Sequence, residues 1–569
     1  MSRHLRLMAG ALIVGFAMPS FAADPPPPLP QALCSNGLPA AHGVPDSLEA
    51  WAEGAQLFDG LGKFHRQTTR SAEAQRYFDQ GMRLLWAFNH DESTRSFAKA
   101  ASLDPDCALC WWGVALTVGP NYNMPAMAET RAKIAWAALQ RAEKSAAKAT
   151  QVEQALIAAL AKRYTGPEPL NPGNEAPALT GYADAMKDVA ARFPEDADVA
   201  TLTAEAQMTT NAWKLWHDDG TPAPGTEEIV ARLEKVLAKH PEHPGANHYY
   251  IHAVEASPHP EKGVTSAERL RGMMPAAGHL EHMPAHIFQR VGRYEDAAEA
   301  NRKGAAADFA YYTKTTPPDY YAMYTAHNEA FLAFSAAMAG EKKEALTAGR
   351  RLRTVVPDAM LTSEPGSDWG VAALDDALVR FGAWDEILAE TAPDVKFTGL
   401  TATYLYASSL ALTAKGRLDE ARARLAALDA LTVPADQHAG FNPAAEILAI
   451  ERLIAHARLA MAAGKQDEAI ATLKQAVDRE DRLSYDEPAD WFFPTRHLLG
   501  AALLDAGKPT EAEAVYRADL KRNPANGWAL FGLAQALERQ KRDKEAAEVR
   551  KNFAAAWAHA DVTLTASAF

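Results

Sequence analysis

Cysteine is scarce in this sequence, with three in 569 residues. Three thiols do not make a disulfide scaffold. Cys107 and Cys110 lie in CALC, and Cys34 stands far away. No histidine follows Cys110, so the motif is not a covalent haem attachment site. A lone CxxC without a βαβ context is weak ground for redox chemistry. In an oxidising compartment the expectation is one structural disulfide, from Cys34 to Cys107 or Cys110.

Net positive charge is also missing. Asp and Glu number 72 against 58 Lys and Arg, a formal charge of -14. That balance argues against nucleic acid or an anionic membrane as the main partner. The two signs are interspersed, which describes a solvated surface. Past the N-terminus no segment approaches the run of about 18 apolar residues that a membrane span needs. There is no Gly-rich phosphate loop, no serine nucleophile elbow and no HExxH. Strand-like alternation does not persist anywhere.

What is present begins with a leader. MSRHLRLMAGALIVGFAMPSFAAD carries Arg3 and Arg6, then an apolar run, then Ser20-Phe21-Ala22. This is the order of a cleavable secretion signal, with cleavage expected after Ala22. No cysteine sits at the cleavage point, so no lipoprotein anchor is expected. The mature chain is expected to be exported and soluble, most simply in a bacterial periplasm. Residues 23–45 form a proline-rich extended segment. From there on the chain reads as helix after helix, rich in alanine, with prolines between segments.

The helices repeat. In the stretch 489–549, Leu499 and Gly500 fall on a first helix, Gly507 in a tight turn and Ala512 where two helices touch. Tyr516 fills an aromatic slot and Pro524 closes the unit. The next unit repeats the pattern with Leu533, Ala534 and Ala546. Further copies carry Gly416 with Ala421, Gly464 with Ala469, and Gly292 with Tyr294 and Ala297. In that last copy Asn301 stands where an aromatic is usual. Near the start, Phe97, Ala100, Pro105 and Trp111 keep the same offsets. Small residues let paired helices approach, and larger apolar ones stack each pair on its neighbour. These units resemble the tetratricopeptide-repeat family. The resemblance implies one all-α solenoid of roughly ten to thirteen helix pairs. Its expected divisions are an N-terminal helical region at 46–240 (degenerate after 120), central repeats at 241–350, and C-terminal repeats at 351–560.

Nine of the 18 histidines lie between His240 and His327. NHYYIHAVE holds His248, His252 and Glu255. GHLEHMPAHIF holds His279, His282 and His286, and MYTAHNEAF holds His327. Spacings of three and four stack side chains on one helix face. Counted from the turn glycines and closing prolines, these residues fall at positions two, five, nine and twelve of three consecutive units. In the resembled family those positions line the concave groove. Packed helices lie about 8–10 Å apart, so imidazoles from neighbouring units can reach one ion. A pair at i, i+4, as in His248/His252 and His282/His286, is a chelating arrangement. Imidazole suits zinc, copper or iron, and the shortage of aspartate argues against calcium or magnesium. A polar pocket for an acidic or peptidic ligand and a structural cluster are the competing readings. Pro284 falls inside the expected helix. Either the helix starts near Met283, leaving His279 and His282 on a loop, or it kinks.

The wider pattern NHYYIHAVE, GHLEHMPAHIF, HNEAFLAF and EPADWFFPTRHLLGAAL resembles a family of bacterial tetratricopeptide-repeat proteins with His-rich central repeats, some of them exported. It implies that those repeats form the functional centre. Weaker candidates are His90, Asn121 to Asn123, and the loop carrying Trp213, Trp216 and His217, which reads as packing. Tyr311, Tyr312, Tyr320 and Tyr321 read first as packing, with a lid over the histidine groove as the alternative. The expected function is binding of a protein, peptide or small molecule in the concave groove, around a transition-metal site made by His248, His252, His279, His282, His286 and His327. The alternative is a metal-dependent enzyme, hydrolase or oxidoreductase, with Glu255 as ligand or general base.

Overall fold

The structure is a computed structural model and describes residues 44–569, apart from 125, 126, 128, 171, 172, 316, 318, 319 and 364. The leader at 1–22, nearly all of the proline-rich segment and Cys34 lie outside the described residues. The chain is an all-α solenoid, helix hairpin stacked on helix hairpin from Leu48–Glu53 to Asp543–Ala556. Among the described residues the one sheet is a two-residue hairpin, His438–Ala439 with Asn442–Pro443. No described helix is long and apolar enough to cross a membrane.

The repeat residues explain the packing. A Cβ added to Gly500 would sit 2.3 Å from the Tyr516 ring, and one added to Gly532 would sit 2.2 Å from it. The tyrosine therefore lies against the bare backbone of two helices, and its hydroxyl meets Ser567 Oγ at 2.6 Å. Phe97 occupies the same slot near the N-terminus, held between Gly81 and Gly113. Both aromatics are fully buried. Truncating such a ring to alanine typically costs about 3–5 kcal/mol.

The solenoid also folds back on itself. Trp528 Nε1 donates to the Ala337 carbonyl at 3.0 Å. The Asp561 carboxylate accepts from the backbone N–H of Lys342 and Lys343. Gly292 abuts the Pro524 carbonyl so closely that a Cβ there would lie 2.2 Å from its oxygen. The C-terminal repeats thus cover the central ones. What the sequence suggests as an open groove is an enclosed interior.

The disulfide differs from the expectation. Cys107 bonds Cys110 within the CALC motif. Cys107 caps the helix Ala108–Thr117, and one turn of helix brings the two α-carbons to 5.3 Å, within reach of a bridge.

Candidate metal centre

Four helical segments carry the histidines. Pro244–Val254 brings His248 and His252. Gly278–His282 and Pro284–Arg290 bring His279, His282 and His286. Tyr321–Ala339 brings His327. Pro284 is the first residue of its segment, and Met283 before it keeps helical dihedrals (φ -50°, ψ -35°). The helix therefore kinks, and His279 and His282 stay helical.

The six rings form two adjacent triads. Ligand atoms of His248, His252 and His279 all lie within 4.8 Å of one another, as do those of His282, His286 and His327. Across the boundary, the His279 and His282 rings are 5.9 Å apart and those of His252 and His286 are 5.8 Å apart. Each triad has an aromatic wall. Phe88 stacks on His252 and His279 and meets His248 edge-on. Phe331 packs on His282, His286 and His327. Phe88 holds φ +52°, a strained conformation for a bulky residue, in the turn before His90.

The second nitrogen of four rings is fixed by an oxygen. His248 Nδ1 donates to the Trp86 carbonyl at 2.6 Å. His282 Nδ1 donates to Asn301 Oδ1 at 2.5 Å, and Asn301 Nδ2 donates to the Ala297 carbonyl at 2.9 Å, which fixes the amide's orientation. His252 Nδ1 pairs with Glu255 Oε1 at 2.9 Å. His286 Nδ1 meets Glu487 and lies 3.0 Å from Glu255 Oε2. A neutral imidazole has one N–H. Proton on Nδ1 leaves a lone pair on Nε2, and partners of this kind orient metal-binding histidines.

The Nε2 atoms point at one another. His248 and His279 approach at 3.1 Å through Nε2, and His282 and His286 at 2.6 Å. His252 Nε2 and His279 Nδ1 are buried without a hydrogen-bond partner. In the empty site burial opposes ionisation of Glu255 and Glu487, and a protonated glutamate at Nδ1 lets His286 donate from Nε2 to His282. A cation between the rings would draw the glutamates to their charged form and meet two Nε2 lone pairs. Metal–nitrogen bonds of about 2.0–2.1 Å in a tetrahedral site put nitrogens about 3.3 Å apart. The first pair nearly has that spacing, and the second needs to open by about 0.7 Å.

The electrostatics agree. Burial drives all six imidazoles toward the neutral form. His252 falls to about 3 and His327 to about 4. His248, His279, His282 and His286 are pushed well below the ordinary value by burial and then by their mutual proximity. Neutral imidazole is the form that ligates. Burial also lifts Glu255 and Glu487 well above the carboxylate range, Glu487 further because Glu255 is beside it. Glu255, His286 and Glu487 themselves form a third group of possible ligands.

Several of these residues are not evident from sequence spacing. Glu487 lies 201 positions from His286. Its signal is present in EPADWFFPTRH, but no repeat position predicts its direction. Asn301 stands in the aromatic slot because His282 needs an acceptor there. Trp213, expected to be loop packing, sits over His252 at 5.6 Å and remains 38% exposed. Its neighbour Trp216 does pack, with Nε1 donating to the Ala253 carbonyl. Asn123 Nδ2 donates to the Tyr324 hydroxyl, and Tyr324 packs on His279. Tyr311, Tyr312 and Tyr321 pack into a buried cluster of their own, as the packing reading expects. His90 is buried against Phe88 and belongs to neither triad.

Residues 503–549 match the tetratricopeptide repeat family. That segment carries the tetratricopeptide repeat, and the rest of the described chain shares its helix-hairpin architecture. No curated protein matches the sequence. Solved structures do. One is a human IFIT1 dimer with m7Gppp-AAAA, at 12% identity, 90% of this chain and 95% of that one, TM-score 0.29. Another is the APC/C hetero-tetramer Cut9-Hcn1, at 13% identity, 88% and 76%, TM-score 0.30. A third is the P58(IPK) TPR domain, at 13% identity, 85% and 97%, TM-score 0.20.

Proposed function

We propose that this protein is an exported tetratricopeptide-repeat protein that binds zinc, copper or iron ions in two adjacent histidine triads. The observation that carries the reading is the His282–His286 contact. Two Nε2 atoms lie 2.6 Å apart, with Asn301 behind His282 Nδ1 and Glu487 and Glu255 behind His286 Nδ1, the arrangement of two ligands oriented from their far sides. The test is elemental analysis of untagged protein from its native source, beside a His252→Ala/His286→Ala double variant. Near-stoichiometric metal that disappears in the variant is the expected result. A wild type without metal, even after reconstitution, overturns the reading. N-terminal sequencing tests export, and a retained Met1 refutes cleavage.

One observation favours a second reading, a metal-dependent hydrolase or oxidoreductase. A cavity of about 320 Å³ reaches His327 and Glu487, so the second triad has an open side. Catalytic metal sites keep such a position. If Glu255 is a general base, Glu255→Gln abolishes turnover and leaves the metal in place. Full activity in that variant removes Glu255 from the role.

A further inference from the structure

The same cavity has a chemistry of its own. Its walls include Leu352, Val356, Met360, Trp369 and Phe492, an apolar lining that suits a small organic body. Its polar groups are one-sided. Asp376, Asp486, Glu487 and Asp490 all line it, and among the described residues no lysine or arginine does. The Asp486 carboxylate accepts from the Glu487 backbone N–H at 2.7 Å, and Asp490 accepts from Asn442 Nδ2 at 2.7 Å. Glu487 differs from both. One of its oxygens meets His286, and the other, Oε1, is buried without any partner. The residue is 7% exposed. Leaving a buried carboxylate oxygen unpaired is unfavourable, so it marks where a donor is missing.

We propose that this cavity binds a small hydrophobic primary amine, with its ammonium held by the Glu487 carboxylate, which turns the buried Oε1 toward the ligand, and its apolar body against Met360, Trp369 and Phe492. The proposal rests on the metal reading only for what happens next to the ligand. Glu487 would join the amine to His286 and thus to the second triad. An alcohol of the same shape offers one donor and no charge. A carboxylate of the same shape meets four acids and no counter-ion. Asp376 adds to the preference, since burial and the neighbouring Asp375 raise its carboxyl to about 8, and an entering cation relieves that shortage of positive charge.

The test is calorimetric titration of the full chain with 2-phenylethylamine, 2-phenylethanol and phenylacetate, with metal content measured on every sample. The amine is expected to bind at least tenfold more tightly than the alcohol, and phenylacetate not measurably. Glu487→Gln should remove most of the amine's advantage. Met360→Trp should fill the cavity and abolish binding of both neutral and cationic probes at unchanged metal content. Asp376→Asn gives an independent reading if Glu487→Gln does not fold, and should weaken the amine selectively. Equal binding of amine and alcohol by metal-loaded protein overturns the amine proposal while leaving the metal site standing. Amine binding by protein that takes up no metal does the reverse.

Discussion

Replacing Asn301 with leucine separates a metal centre from a buried polar cluster. Asn301 is fully buried, and its two hydrogen bonds are known: it accepts from His282 Nδ1 at 2.5 Å and donates to the Ala297 carbonyl at 2.9 Å. Leucine has the same number of side-chain heavy atoms and a similar branched shape, so no cavity forms, and its bulkier methyl groups must be fitted by small shifts of the neighbours. The variant leaves the His282 N–H without an acceptor, which destabilises the metal-free fold by about 1–3 kcal/mol. It also frees the ring to move its proton to Nε2, the nitrogen that faces His286. Loss of such an orienting partner typically lowers metal affinity by about 10–100-fold, or about 1.4–2.7 kcal/mol. Asn301→Asp keeps the acceptor and adds charge, so it should bind metal at least as tightly as wild type. The assay is competition for the ion against a chromophoric chelator, run beside urea denaturation of the metal-free proteins. The reasoning fails if Asn301→Leu binds metal as tightly as wild type, or if Asn301→Asp binds as weakly as Asn301→Leu.

The metal-free protein should be acid-labile. His252 and His327 titrate near 3 and 4 in the fold, against about 6.5 unfolded. Above pH 6.5 neither state binds the proton and nothing is lost. Below it the unfolded chain gains protons that the fold refuses, so stability falls until pH approaches the folded values. At pH 5.5 these two groups alone remove about 3 kcal/mol. Denaturation midpoints between pH 7.5 and 5.5 check this, and a flat profile refutes it. Gly500→Ala drives a methyl group into the Tyr516 ring, 2.3 Å from the added Cβ. The expected loss is about 1–3 kcal/mol, read as a lower denaturation midpoint; an unchanged midpoint shows that the ring moves freely. Peptide mapping without reduction should find Cys107 joined to Cys110, leaving Cys34 as the thiol that titrates. A Cys34 linkage contradicts the fold.

What the sequence reveals and what it hides divides by distance along the chain. Tyr516 between Gly500 and Gly532 is legible because each repeat contacts only itself and its neighbours. The histidines are legible for the same reason, since three- and four-residue spacings fix a helix face before any tertiary contact forms. Even Asn301 is visible as an anomaly, a polar residue in an aromatic slot, although the sequence alone does not name His282 as its partner. Glu487 belongs to another kind of information. It reaches His286 only because small rotations, added repeat by repeat, bring the C-terminal hairpins back over the central ones. The seams of that closure are the Trp528–Ala337 hydrogen bond and the Gly292–Pro524 contact. No local pattern encodes such a sum. The strained turn at Phe88 is hidden for a related reason, because φ +52° is held by the rings it packs against and not by its own neighbours in sequence. The long-range contacts are also the ones that matter chemically. Glu487 closes over His286 in the second triad, while Phe88, Tyr122 and Tyr324 cover the first, and under these contacts the histidines are desolvated and neutral. An enclosed centre of this kind favours a small ligand delivered through the acidic cavity over a peptide laid along the superhelix.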